Sequence, residues 1–77
     1  MDVWYPRLDR LERRPSRVRQ IDRGRAKDLV NRFVAAGAKY VFVGPHTHLA
    51  GPRRIVQKLV FHDDHMHVRF ARRAHGR

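Results

Sequence analysis

The segment from residue 61 to residue 70, FHDDHMHVRF, concentrates the side chains that could do chemistry. It holds three of the six histidines and two adjacent aspartates. If residues 65–70 form a strand, the period of two places His65, His67 and Arg69 on one face. Two imidazoles on that face lie ~6.5–7 Å apart, too far for both to bind one metal comfortably. The spacing suits one histidine that binds a metal and a neighbour that acts as an acid, base or electrophile.

The same segment also has a purely structural interpretation. A His-x-His pattern is what any half-exposed strand presents to solvent. Residues 62–64 can form a solvated turn in which an Asp side chain caps backbone amides. Met66, Val68 and Phe70 belong to the core under either interpretation, because they alternate with the polar side chains. Spacing alone leaves both interpretations open.

Residues 62–69, HDDHMHVR, closely resemble the C-terminal signature of the penicillin-insensitive murein endopeptidases. This family belongs to a group of zinc peptidases that includes lysostaphin, the D-alanyl-D-alanine metallopeptidases and the hedgehog signalling domain. Residues 2–7 resemble the stretch around the family's metal aspartate. Residues 20–22, residues 40–45 and the helix between them are also similar to bacterial members. The resemblance therefore extends over most of residues 2–70.

The resemblance implies a zinc site held by His, Asp and His, with a water in the fourth position and a peptide crosslink of peptidoglycan as substrate. Asp2 matches the metal aspartate and His67 matches a metal histidine. His65 matches the partner that assists proton transfer or stabilises the developing oxyanion. His62 matches a further active-site histidine. The family implies a periplasmic or cell-wall location.

One ligand of the family pattern is missing. The first zinc histidine of the family lies several residues before the metal aspartate, which here is Asp2. We therefore expect residues 1–70 to form a partial catalytic domain without its N-terminal part, and residues 71–77 to form a basic tail. Two ligands should hold zinc weakly, so we expect little activity from the chain alone. His46 or His48 could supply a third ligand if their loop folds back, although the simpler interpretation puts both on a substrate-side loop.

These residues must be positioned by the surrounding helices and strands. The order of the predicted elements indicates an α+β fold, with one main helix packed on a small antiparallel sheet. Asp22 is the expected N-cap, apolar residues recur at helical spacing from Ala26 to Val34, and Gly37 suits a left-handed C-cap. The predicted strands are residues 2–5, 39–43 (largely buried), 55–61 and 65–70. The predicted loops are residues 7–19, with one helical turn at 8–14, and residues 45–54.

Length and charge limit the classes of protein to which this chain can belong. Seventy-seven residues exclude a doubly wound nucleotide domain, a barrel enzyme or a kinase, and the absence of cysteine excludes disulfides and thiolate metal sites. A net charge of +11 predicts an anionic partner. The alternative function is therefore a basic module that binds nucleic acid or an anionic wall polymer without catalysis, through the arginines of residues 7–25 and stacking by Trp4, Tyr5 or Tyr40.

Two expectations concern location. No apolar run approaches the ~20 residues of a membrane span, so we expect no membrane-spanning segment. The first residues lack the apolar stretch of a signal peptide, which predicts a cytoplasmic protein if translation starts at Met1.

A partial domain should also expose apolar surface, so we expect poor solubility or self-association.

Overall fold

A computed structural model describes residues 1–70, which form one helix packed on a four-stranded mixed sheet. The elements in chain order are β1 (Asp2–Trp4), a 3-10 turn (Val18–Gln20), α1 (Arg23–Ala35), β2 (Ala38–Val43), β3 (Val56–Lys58) and β4 (His65–Phe70). The strand order is β1-β4-β2-β3, and β4 runs antiparallel to both of its neighbours. The predicted α+β class is confirmed. The basic tail predicted at residues 71–77 lies outside the described residues.

The predicted helix is present with both of its predicted ends. The Asp22 carboxylate accepts a hydrogen bond from the backbone N–H of Arg25 at 3.1 Å, which is the expected N-cap contact. Gly37 follows the helix with φ +92°, where a side chain would be strained. Ala26 and Val30 are fully buried against the sheet. The apolar stripe therefore attaches the helix to one face of the sheet.

The two faces of the sheet differ in burial, as the alternation of side chains requires. The face toward α1 is apolar and buried, and its central members are Val41, Val43, Val56, Met66 and Val68. The opposite face, which we call the open face, carries half-exposed Tyr40, Phe42, His65 and His67. Residues 39–43 were predicted to be largely buried, and that prediction is wrong for this second face because α1 covers only one side.

The sheet is mixed rather than purely antiparallel. β2 and β3 pair in parallel, with Val41 opposite Val56 and Val43 opposite Lys58. Residues 44–55 form the connection, which is long enough for the crossover that a parallel pair needs. β3 is also shorter than the predicted strand at residues 55–61, because the chain leaves the sheet after Lys58 and turns at Phe61, whose φ is +64°.

The arginine-rich segment between β1 and α1 folds as a loop closed at its base. Arg7 forms an isolated antiparallel bridge with Ile21, and the N–H of Leu8 donates to the carbonyl of Gln20 at 2.8 Å. The predicted helical turn at residues 8–14 is absent. The buried Arg7 guanidinium instead binds the Asp9 carboxylate with two nitrogens, which holds this stretch in a turn.

Candidate metal centre

Asp2 and His67 lie directly opposite each other in the β1–β4 pair. His67 Nδ1 is 2.7 Å from Asp2 Oδ1, and the hydrogen bond from His67 lowers the pKa of the Asp2 carboxyl below its usual range. The imidazole also stacks on the ring of Phe42, with centroids 6.1 Å apart and planes 23° apart. The fold thus brings together the two side chains that the resemblance matches to metal ligands, and neighbours on both sides orient the imidazole.

His65 lies on the same face of β4, two residues from His67. Its Nδ1 is 2.6 Å from Asp64 Oδ1, and the other oxygen of Asp64 is 3.5 Å from Arg14 Nε. A carboxylate that accepts from Nδ1–H leaves Nε2 as the acceptor nitrogen of a neutral imidazole. His65 therefore has the arrangement of an oriented general base.

His62 adjoins His65, with ring centroids 4.7 Å apart. Its Nδ1 is 2.8 Å from the carbonyl of Val60, so the Nε2 of a neutral His62 is also free to accept a proton. The three histidines with predicted roles therefore lie on one strand and the turn before it. Their ligand and proton-transfer roles stay predictions.

Tyr5 holds the His62 turn against the end of β2, a role that sequence reasoning missed. Its hydroxyl donates to the carbonyl of His62 at 2.8 Å and accepts from the N–H of Gly44 at 3.1 Å. Tyr5 is 1% exposed, and burial raises its pKa to about 12. The prediction that Tyr5 stacks on a ligand is therefore wrong. Alternation along β1 was the available signal, because Tyr5 lies on the same side as the inward-facing Val3.

Gly44 lies in close contact with the same turn. A Cβ at this position would lie 2.6 Å from both the Asp63 Cα and the carbonyl oxygen of His62. Beside this contact, Asp63 accepts hydrogen bonds from the backbone N–H of His46 at 3.2 Å and from its Nδ1 at 2.7 Å. The loop after β2 is therefore joined to the turn before β4 at a point where only glycine fits.

The donor set at the Asp2–His67 pair fits a zinc ion in part. Carboxylate and imidazole are both ordinary zinc ligands, and Asp2 and His67 are close enough to share one ion. Within residues 1–70, no group of three or more His, Cys, Asp or Glu side chains is arranged to hold a metal. Neither His46 nor His48 joins the pair, so the described residues offer two of the three protein ligands that a catalytic zinc normally has.

A cleft of about 1030 Å³ opens beside the His65–Asp64 pair. Its lining includes two arginines, Arg14 and Arg17, two carboxylates and several apolar side chains. One of the apolar side chains, Phe61, is 89% exposed. A cleft that combines both charges with apolar side chains suits a ligand that has amide, charged and apolar groups, such as a peptide.

The residues of the alternative basic module are only partly available for binding. Arg7 is 8% exposed and paired with Asp9, and Tyr5 is buried. Trp4 is 55% exposed and Tyr40 is half-exposed. Binding through the whole of residues 7–25 would therefore lack its first arginine.

No protein-family model, curated protein or solved structure matches this chain. Across residues 1–70, no helix has the length and apolar character needed to cross a membrane.

Proposed function

We propose that this chain contributes the Asp–His half of a zinc metallopeptidase site of the murein endopeptidase type, which cleaves peptide crosslinks of peptidoglycan. The observation that supports the proposal is the 2.7 Å contact between Asp2 and His67, with the Asp64-oriented imidazole of His65 on the same strand face. An acidic ligand, an imidazole ligand and an oriented base side by side are the parts that metal-assisted hydrolysis needs.

Asp2 and His67 would hold the ion, and a zinc bound there would lower the pKa of a water and polarise the scissile carbonyl. Nε2 of His65 accepts a proton from the attacking water and delivers it to the leaving amine. The carbonyl carbon gains a hydroxyl group, the C–N bond breaks and the nitrogen gains the proton. His62 adds a second imidazole beside His65, and in its protonated form it can donate from Nε2 to the developing oxyanion.

The proposal requires a third metal ligand from outside the Asp2–His67 pair, because catalytic zinc normally has three protein ligands. We also propose that a crosslink peptide lies in the cleft beside Asp64, where Arg14 and Arg17 can bind the carboxylates of the peptide. Peptidoglycan lies in the cell wall, so the proposed site of action is the periplasm or the wall.

Turnover of crosslinked muropeptide dimers tests the proposal. The protein is incubated with zinc and the dimers, with and without free imidazole as an external third donor, and monomers are measured by chromatography. We expect slow conversion that imidazole accelerates. His65→Gln should abolish conversion, and Arg54→Gln, a change in an exposed loop residue, should not affect it. Absence of conversion under both conditions, or full conversion by His65→Gln, would contradict the proposal.

A further inference from the structure

The open face of the sheet carries a continuous row of stacked rings. Tyr40 and Phe42 have centroids 5.5 Å apart and planes 22° apart, and Phe42 stacks in turn on His67. The row crosses β2 and β4, the two central strands of the sheet. Each ring is half-exposed because α1 packs on the opposite face. The row is therefore an aromatic platform open to solvent.

Cations border this platform. Arg69 is exposed and lies opposite Tyr40 in the β2–β4 register. Lys39 Nζ lies 5.6 Å from the centroid of the Tyr40 ring. The whole chain carries a net charge of +11, which attracts an anionic polymer to any such surface. A ligand that combines flat rings with regularly spaced negative charges would match both features.

We infer that the open face binds single-stranded nucleic acid, with bases stacked on Tyr40 and Phe42 and backbone phosphates on Arg69 and Lys39. Four-stranded sheets that present stacking aromatics on an open face are a common solution for single-stranded RNA, and base stacking tolerates any sequence. A neutral glycan could stack on the same rings, but it would gain nothing from the cations. The inference does not rest on the proposed zinc site, although His67 belongs to both.

The single tryptophan provides an intrinsic probe. Trp4 is 55% exposed and lies on the open face of β1, on the same side as Asp2. A labelled oligothymidine or oligouridine is titrated at low salt, and both fluorescence anisotropy and Trp4 emission are recorded. We expect saturable binding, with a change in Trp4 emission at the same oligonucleotide concentration.

Substitutions of the rings and of Arg69, each with a matched control, locate the surface. Tyr40→Ala and Phe42→Ala should each weaken binding by about 5- to 150-fold, the loss expected for one stacked base. Phe61→Ala, an exposed aromatic away from the open face, should leave affinity unchanged. Arg69→Gln should reduce the slope of log K against log salt by about 0.7, and the exposed loop variant Arg53→Gln should not. Phe42→Trp keeps a stacking ring and should retain affinity, which separates loss of stacking from loss of the fold.

Four results would overturn the inference. The first is no oligonucleotide binding at low salt, and the second is unchanged affinity in Tyr40→Ala and Phe42→Ala. The third is that Phe61→Ala weakens binding as much as those two variants do. The fourth is that a neutral glycan displaces the oligonucleotide at a lower concentration than unlabelled oligonucleotide does. Circular dichroism of each variant should show the helix signal of the wild type. If an alanine variant unfolds, Tyr40→Leu and the Phe42→Trp result decide the question, since both keep an apolar side chain at the position.

Discussion

His67 Nδ1 lies 2.7 Å from Asp2 Oδ1, in a contact between side chains 65 residues apart in the chain. Backbone hydrogen bonds beside it maintain the strand register, because Met1 N donates to the carbonyl of Val68 at 2.8 Å and the N–H of Val68 donates back at 2.7 Å. A slip of β1 by one residue would turn Asp2 to the buried face, away from His67. The register of β1 against β4 therefore forms the proposed metal pair.

Replacing Tyr5 by phenylalanine tests the link that holds the His62 turn. The change leaves the carbonyl of His62 and the buried N–H of Gly44 without this partner, so we expect a loss of about 1–3 kcal/mol in the free energy of unfolding. Urea denaturation measures the loss. Tyr40→Phe, at a half-exposed ring on the open face, is the matched control and should have a smaller effect.

The stability difference between the wild type and Tyr5→Phe should also depend on pH. Burial raises the pKa of Tyr5 from 10.0 to about 12, so the neutral phenol is favoured in the folded state. Its contribution to stability is complete below pH 10 and is lost as the pH rises from about 10 to about 12. The stability difference between wild type and Tyr5→Phe should therefore shrink across that range. A difference that stays constant would refute a buried, neutral Tyr5.

Gly44→Ala should displace the turn that carries His62 and Asp63. The new Cβ would meet the backbone of that turn at 2.6 Å, and backbone atoms cannot move aside as a flexible side chain can. We expect a loss of at least ~1–3 kcal/mol in denaturant unfolding. Gly24→Ala is the control, since its Cβ would make an ordinary 3.6 Å contact in α1 and should stabilise the helix by up to ~1 kcal/mol.

Phe61→Asn should stabilise the protein. Phe61 has φ +64° and is 89% exposed, so it has a strained backbone and little packing to lose. Asparagine tolerates this conformation, and we expect a gain of about 1 kcal/mol in the free energy of unfolding. Alanine has no polar side chain that could hydrogen-bond the local backbone in this conformation, so Phe61→Ala should bring no such gain. Equal stabilisation by both variants would mean that strain is not the cause.

Phe61 belongs to an exposed apolar stretch that also includes Leu59 and Val60. This stretch is consistent with the self-association expected from the sequence, which stays a prediction. Sedimentation velocity of Phe61→Asn should show a larger monomer fraction than the wild type, since the variant removes the most exposed apolar ring. An equal monomer fraction in the two proteins would assign any association to another surface.

The helix and the faces of β4 could be predicted from sequence because both are local. Asp22, Gly37 and the apolar spacing between them define α1, and the alternation after His65 places Met66 and Val68 in the core. The contact of Asp2 with a histidine could be anticipated only through the resemblance, since it depends on strand register across the whole chain.

Other features could not be predicted because they depend on long-range packing. The parallel β2–β3 pair follows from where the connection at residues 44–55 crosses, and no local pattern encodes that. The roles of Tyr5 and Gly44 depend on a turn far away in the chain. The aromatic platform arises because β2 lies beside β4 with Phe42 opposite His67, and the prediction of a largely buried strand did not separate the face of Tyr40 and Phe42 from the buried one.

Zinc affinity tests the central claim most directly. The protein and its variants are dialysed to equilibrium against a series of free zinc concentrations, and bound zinc per chain is measured at each concentration. We expect weak, saturable binding by the wild type, as two protein ligands allow, and nearly the same affinity in His65→Ala and the loop control His48→Ala. His67→Ala should lose more than the ~10–100-fold in affinity that loss of an outer-shell partner costs. Equal zinc binding by the wild type and His67→Ala would contradict a metal site at the Asp2–His67 pair.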